Sequence, residues 1–288
     1  MSATATAFGA QVPQPVQHGK PGGIMRRLNF GTGLIGGLGL AAIAAVVTNA
    51  FIPSGAASSV NYAPIAPQLV YLAALLGWVI GFMAGMGAFI GPIRWLMGRD
   101  LTHADAEYMA GKDLGKARYW KFTTDHKVVG IQYLIMVMII LGFGGLLAML
   151  IRTELGVTWA EVFTPSFYNS IIGTHGIAMI IGMIIVVMGP IANFIMPIMI
   201  GARDMAFPRL NALSLWLLAA AVPCLISSLF LGGIQDGWSV YQPLASQGPP
   251  GMLGYQMTII VFAISTGVAS VNVMTTILTM RAKGMTWS

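Results

Sequence analysis

Between Asn169 and Gly201 the chain carries no charged residue, and a single histidine, His175, interrupts the apolar run. At 1.5 Å per residue of α-helix, roughly thirty residues extend about 45 Å, enough to cross a bilayer and its headgroups with some tilt. The composition generalises this. Apolar residues make up 56% of the chain, charged residues only 8%, and the mean hydropathy is +0.77, so several spans lie in lipid. Six apolar stretches are long enough: about 31–52, 69–97, 128–151, the run around His175, 213–231 and 252–280. The fold class is an all-α polytopic membrane protein with six transmembrane helices.

The net charge of +6 does not point to nucleic acid, because the basic residues crowd the loops between spans. With the N-terminus inside, every one of the fifteen Lys and Arg residues except Arg152 falls on the inner side. That is a strong positive-inside pattern. It predicts a multi-pass protein of the cell inner (plasma) membrane with a cytoplasmic N-terminus. His175 then lies near the outer surface and Asp204 at the inner one. No cleavable signal peptide is legible, since the first apolar run follows about thirty polar, Gly- and Pro-containing residues. Residues 1–30, with His18, read as a flexible tail, and 31–97 as two membrane helices. Residues 98–127 read as an inner loop with a short helix, Thr102 to Gly111, capped by Thr102. A four-helix core follows over 128–288. Cys224, the single cysteine, sits in an apolar run and specifies no redox compartment.

Intramembrane ionisable groups are costly and are normally retained for a site. Gly173 and Gly176 flank His175 and would let a flat cofactor approach the backbone. A hydrogen-bonded core histidine and a ligand both remain open on these grounds. Asn193 lies eighteen residues on, five α-helical turns, and so on the same face. Just beyond comes Gly201-Ala202-Arg203-Asp204-Met205-Ala206-Phe207-Pro208-Arg209-Leu210-Asn211, where Arg203 and Arg209 should favour ionised Asp204. In the last span Ser265, Asn272 and Thr276 recur at seven and four residues, one helical face. A polar stripe of this kind faces a bundle interior. Simple interhelical hydrogen bonding and a line of held waters both suit it.

These motifs resemble subunit I of the haem-copper oxidases, the type found in aa3-like cytochrome c oxidase, over about Lys121 to Ser288. Tyr168, Asn169 and His175 match the Tyr-Asn…His of the second core helix. The run GARDMAFPRLN is the most specific match. Lys121 to Lys127 resembles the entry to the first core helix, where His126 reads as a structural hydrogen-bonding residue. Leu150 to Gly156 and Gly237-Trp238-Ser239-Val240-Tyr241 are further family-like runs. The departures are Ser239, Gln242 and Val157-Thr158-Trp159.

The resemblance implies that His175 is an axial ligand of a low-spin haem, haem a by this match, and that Arg152 bonds its formyl group. It implies that Trp238 and Tyr241 border the space above the haem propionates, beside Tyr168. Glu154 resembles a cation-site carboxylate. Asp204 marks the mouth of a proton channel, with Asn193 and Asn211 near its entrance and Ser265, Thr266 and Asn272 along its waters.

The chain has only four histidines, too few for the second axial ligand, the high-spin haem and the active-site copper. The expectation is an N-terminal piece of a split or truncated subunit I, with two extra spans in front. It would need the rest of subunit I, subunits II and III, and cytochrome c or a membrane-bound donor. A quinol oxidase of the same superfamily stands close behind. A nitric oxide reductase relative, a haem-less scaffold and a secondary transporter are weaker alternatives.

Overall fold

The computed structural model describes residues 23–52, 66–98, 103–111, 114–156, 161–235, 237–242 and 248–286. These residues are helical with no strand among them. Short α1 (Gly23–Arg27) leads into α2 (Phe30–Phe51) and α3 (Ala66–Met86), then α4 (Ile90–Leu96) and α5 (His103–Met109). The core is α6 (His126–Glu154), α7 (Pro165–Val186), α8 (Ala192–Met199), α9 (Pro208–Phe230) and α10 (Gly251–Thr279). A π segment, Val187–Ile191, joins α7 to α8. Among the described residues six spans are long and apolar enough to cross a membrane, with α7, the π segment and α8 counting as one from Pro165 to Met199.

Helix starts follow local chemistry. Asn29 caps α2 by accepting from the Thr32 amide at 3.2 Å, while Thr32 Oγ1 accepts from the Asn29 amide at 2.8 Å. This reciprocal pair satisfies two orphan donors. Asp125 caps α6 through Lys127 N at 2.8 Å, and Thr164 caps α7 with Pro165 in its first turn.

Three boundaries differ from the sequence expectation. The second span stops at Met86, where Gly87 turns the chain with φ +89, and the rest of that apolar run forms the separate helix α4. The loop helix covers His103–Met109, and the expected cap Thr102 lies outside the described residues, as do His18 and Val157-Thr158-Trp159. The fourth span contains the π segment, so the eighteen residues from His175 to Asn193 are not five plain α-turns. Pro190 cannot donate, and the wide turn around it shifts the register.

Two packing modes build the bundle. In the α2–α3 hairpin the backbones touch, because Gly36, Gly81 and Gly85 leave no room for a Cβ. A Cβ on Gly36 would stand 2.6 Å from the Gly81 carbonyl oxygen, and one on Gly77 would stand 2.7 Å from that of Leu40. Small residues every fourth position favour such contacts in lipid. These glycines withdraw only this stripe of the first span from lipid. Ile35, Leu38 and Val46 of α2 are 74%, 65% and 69% exposed. The hairpin is then docked on the core through α3. Trp78 Nε1 donates to the Ala220 carbonyl at 2.9 Å, and the Tyr71 and Ser227 hydroxyls pair at 2.7 Å. Trp78 and Phe82 join one continuous buried cluster with Leu215, Trp216 and Val261.

Gly81→Leu is expected to split the hairpin and cost about 3 kcal/mol, the upper end of overpacking penalties. Gly39→Leu is the control, because a Cβ there meets nothing within 4 Å. Thermal melting of the two variants in detergent micelles compares them directly.

Candidate functional site

At one end of the core, α6 and α7 fix the intramembrane histidine. His175 is half-buried, and its Nδ1–H donates to the Gly144 carbonyl of α6 at 2.8 Å. Gly144 allows this closeness, since a Cβ there would stand 2.8 Å from Met179 Sδ. A ring nitrogen bonded to a carbonyl sets the tautomer and leaves Nε2 with a free lone pair, the usual arrangement for a metal-binding imidazole. The two flanking glycines are not equivalent. Gly173 is filled by Ile234, whose Cβ would be 3.0 Å from an added Cβ, so it serves packing. Gly176 is open, with only Trp238 Cβ at 3.9 Å. The flat approach inferred from both glycines therefore has space at Gly176 alone. The hydroxyl of buried Thr174, next in sequence, has no hydrogen-bond partner among the described residues.

Other residues collect around this end. Tyr168 lies two turns before His175 and is half-buried, and Arg152 is exposed in the last turn of α6. Trp238 is 55% exposed, with its carbonyl accepting from the Tyr255 hydroxyl, and Tyr241 is 76% exposed. Between them Val240 has φ +45, a left-handed conformation unusual for a β-branched residue and of the kind that gathers at functional sites. Glu154 closes the α6–α7 loop: Oε2 accepts from Val162 N at 3.1 Å and Phe163 N at 2.9 Å. That contact was not legible in the sequence.

At the other end Asp204 sits in the loop between α8 and α9. Its Oδ1 accepts from Met205 N at 2.7 Å. Burial pushes its carboxyl above the usual carboxylate range. The Met205 amide, the His126 ring and the His126 amide oppose that rise, while the Asp125 charge adds to it. Arg203 and Arg209, expected to hold Asp204 ionised, form no ion pair with it among the described residues. The groups that favour its ionised form are the Met205 amide of its own loop and His126 at the start of α6, not guanidinium groups.

The loop carrying Asp204 is clamped from α10. Phe207 N donates to Asn272 Oδ1 at 2.8 Å and Ala206 N to Thr276 Oγ1 at 2.9 Å. The stripe Ser265, Asn272 and Thr276 does face the interior, being 3%, 0% and 0% exposed. Thr266 lies on the adjacent face, its hydroxyl returned to the Phe262 carbonyl at 3.0 Å.

Above the loop runs a polar chain that the sequence only half showed. The Tyr133 hydroxyl donates to Ser214 Oγ at 2.7 Å, Ser214 Oγ to the Asn211 carbonyl at 2.8 Å, and Ser265 Oγ to the Ser214 carbonyl at 2.6 Å. Tyr133 and Ser214 were missed. The available signals were spacings, Tyr133 two turns after His126 and Ser214 one turn after Asn211.

Asn193 enters from the other side. Its Nδ2 caps the π segment through the Gly189 and Met188 carbonyls at 2.8 and 3.3 Å, and its own carbonyl accepts from His126 Nδ1 at 2.9 Å. His126 is thus the structural hydrogen-bonding residue expected. Asn193 Oδ1, Asn211 Nδ2 and Asn272 Nδ2 are buried without protein partners among the described residues. Buried polar atoms of this kind ordinarily bond water.

Gly189 seats the Tyr133 ring, and a Cβ there would stand 2.7 Å from Tyr133 Cδ1. Gly189→Ala is expected to displace the tyrosine and cost about 1–3 kcal/mol as overpacking. Tyr133→Phe, which removes only the hydrogen bond, should cost about 1 kcal/mol. Melting of both variants separates the two effects.

Comparison with known proteins identifies a family. Residues 128–288, more than half of the chain, match the family described as "Cytochrome C and Quinol oxidase polypeptide I". Cytochrome c oxidase subunit 1 of Thermostichus vulcanus is 40% identical over 172 residues, 59% of this chain and 31% of that protein. A putative cytochrome c oxidase subunit 1-beta of Streptomyces coelicolor is 38% identical over 188 residues, 63% of this chain and 33% of that protein. Quinol oxidase subunit 1 of Bacillus subtilis is 39% identical over 171 residues, 58% of this chain and 26% of that protein. The chain therefore spans a third or less of the length of these relatives. With α6 to α10 forming the matched region and its polar motifs meeting at two opposite ends of one bundle, the chain belongs to the cytochrome c and quinol oxidase subunit I family.

Proposed function

We propose that this chain contributes one haem-binding face and a proton-uptake path to a terminal oxidase complex. The observation that carries the proposal is the pairing of a pre-set imidazole at one end with a buried, incompletely satisfied polar chain leading from a carboxylate at the other. His175 would hold a low-spin haem through Nε2, with Gly176 giving the plane access and Tyr168, Arg152, Trp238 and Tyr241 surrounding it. Such a haem supplies one-electron transfer when bound. The residues of this chain orient the ligand, because the Gly144 carbonyl both fixes the ring and raises its basicity. Arg152, with no ion pair among the described residues, places a positive charge at that end, which suits a haem formyl or propionate.

Protons enter at Asp204. Its loop is held against α10 by Asn272 and Thr276, so these two position the carboxylate. Asn193, Asn211 and Asn272 each leave one amide atom for water. Ser214, Tyr133 and Ser265 continue the path about two turns, roughly 10 Å, further into the bundle. Hydroxyls and amides suit the task because each both donates and accepts. Thr266 borders the path from the neighbouring face. With the N-terminus inside, the uptake end lies in the cytoplasm and the complex in the cell membrane.

The oxygen-reducing centre needs the remainder of subunit I, and the complex needs partner subunits such as II and III. The relatives include oxidases of both donor classes, and the matched core chooses neither. Cytochrome c is the proposed donor and quinol the alternative. A complex purified through an affinity tag on this chain should carry extractable haem and consume oxygen with one of these donors. A complex that purifies without haem would overturn the proposal in favour of a scaffold.

A further inference from the structure

Near the basic end of the bundle, the N-terminal helices meet the core around a cleft with a volume of about 400 Å³. Its walls come from Met25 of α1, Ile90, Gly91 and Trp95 of α4, and Arg209 and Leu213 of α9. Most of this wall lies outside the family match, so the cleft belongs to the extension and not to the shared core. Its size falls within the roughly 300–1,000 Å³ of small-molecule sites.

Two features define what fits. The first is an apolar wall that opens on an apolar perimeter. Along α4, Ile93, Trp95, Leu96 and Met97 are 49%, 76%, 76% and 66% exposed. A short helix that follows a span and presents aromatic and aliphatic side chains belongs at the headgroup level of a bilayer. The second is a cation at the edge. Arg209 is exposed, lies against Gly91, and has no ion pair among the described residues. Arg94, the neighbouring cation on α4, is already paired with Asp105. Arg209 is the group left to meet an anion, and a guanidinium fork matches phosphate geometry.

We infer that this cleft binds one anionic phospholipid, with its phosphate on Arg209 and its acyl chains along α4 and α9. The charge complementarity and the hydrocarbon-lined opening select an amphiphile over a soluble anion. Basic pockets between membrane helices take acidic lipid headgroups in the same way. The bound lipid would tie the two extra spans to the core at the level of the Asp204 loop.

The test uses the complex containing the full chain, equilibrated in nanodiscs of equal parts phosphatidylglycerol and phosphatidylcholine. After transfer to mild detergent, the lipid retained per chain is counted by mass spectrometry. Wild type should retain phosphatidylglycerol selectively. Arg209→Gln should lower that retention about tenfold, the loss of one charge-assisted contact.

Gly91→Leu is the second variant. An added Cβ there meets only Arg209 Nη1, at 3.6 Å, and leucine is the better helix former, so folding is preserved while the cleft is filled. It should abolish retention without lowering thermal stability in lipid-free micelles. Equal retention of both lipids, unchanged by Arg209→Gln, would overturn the headgroup assignment. Retention unaffected by Gly91→Leu would overturn the site. Displacement of the lipid by excess inorganic phosphate alone would reassign Arg209 to a free anion and overturn the proposal.

Discussion

Replacing His175 with leucine is expected to remove the low-spin haem spectrum from the complex that contains this chain. Two losses act together. The Nε2 ligand disappears, and the Gly144 carbonyl, already an acceptor within α6, loses its second donor 2.8 Å away. Losing one such hydrogen bond costs about 1 kcal/mol, so a modest destabilisation accompanies the spectral change. The two are separable. The reduced-minus-oxidised spectrum reports the haem, and the amount of complex recovered from the membrane reports folding. The proposal requires near-complete loss of the low-spin band in whatever complex is recovered. A normal six-coordinate spectrum in the leucine variant would remove His175 from haem binding and leave it as a helix–helix hydrogen bond.

Asp204→Asn should have the opposite profile, with normal assembly and failing turnover. Burial raises the Asp204 carboxyl above its unfolded value, so its ionised form is disfavoured in the fold. Its sign follows from linkage. A raised value favours folding while both states are protonated, and that advantage is lost as pH rises through the folded value. At neutral pH the wild type therefore carries an uncompensated cost that asparagine does not. The amide oxygen still accepts from Met205 N, so the variant should melt no lower than wild type and hold its full haem. Oxygen consumption and proton release should fall about a hundredfold, the low end for a positioned proton-transfer group. A purely structural carboxylate predicts the reverse, with poor assembly and normal specific turnover in what assembles. Full turnover with full pumping in the assembled variant would exclude Asp204 from proton uptake.

The sequence showed those features that depend on spacing within one helix. Six spans were legible because hydropathy needs no neighbours. The stripe Ser265, Asn272 and Thr276 was legible because seven and four residues repeat one face of an α-helix, and all three are buried. What depends on a second element was not. Asp204 lies between two arginines in sequence, yet the groups that lower its carboxyl are the Met205 amide and, seventy-eight positions away at the start of α6, His126. Tyr133 and Ser214 are unremarked polar residues in apolar spans until α6 and α9 bring their hydroxyls together. The π segment is the third case. An eighteen-residue count assumes uniform α-turns, and Pro190 with the Asn193 amide replaces one of them by a wider one. Glu154 resembles a cation-site carboxylate in sequence, and the fold adds that its Oε2 accepts from two loop amides.

The glycine contact between α2 and α3 bears on how the chain is made. Its touching positions, Gly36 with Gly81 and Thr32 with Gly85, are separated by about forty-five to fifty-three residues, whereas Trp78 and its acceptor Ala220 are 142 apart. During synthesis from the N-terminus the hairpin can close while α9 is still unmade. Its seam is backbone against backbone and depends on no cofactor. The first two spans can therefore enter the bilayer as a finished pair. They then wait, presenting Trp78 and Tyr71 as a landing edge, until α9 is threaded and the rest of the bundle assembles against them.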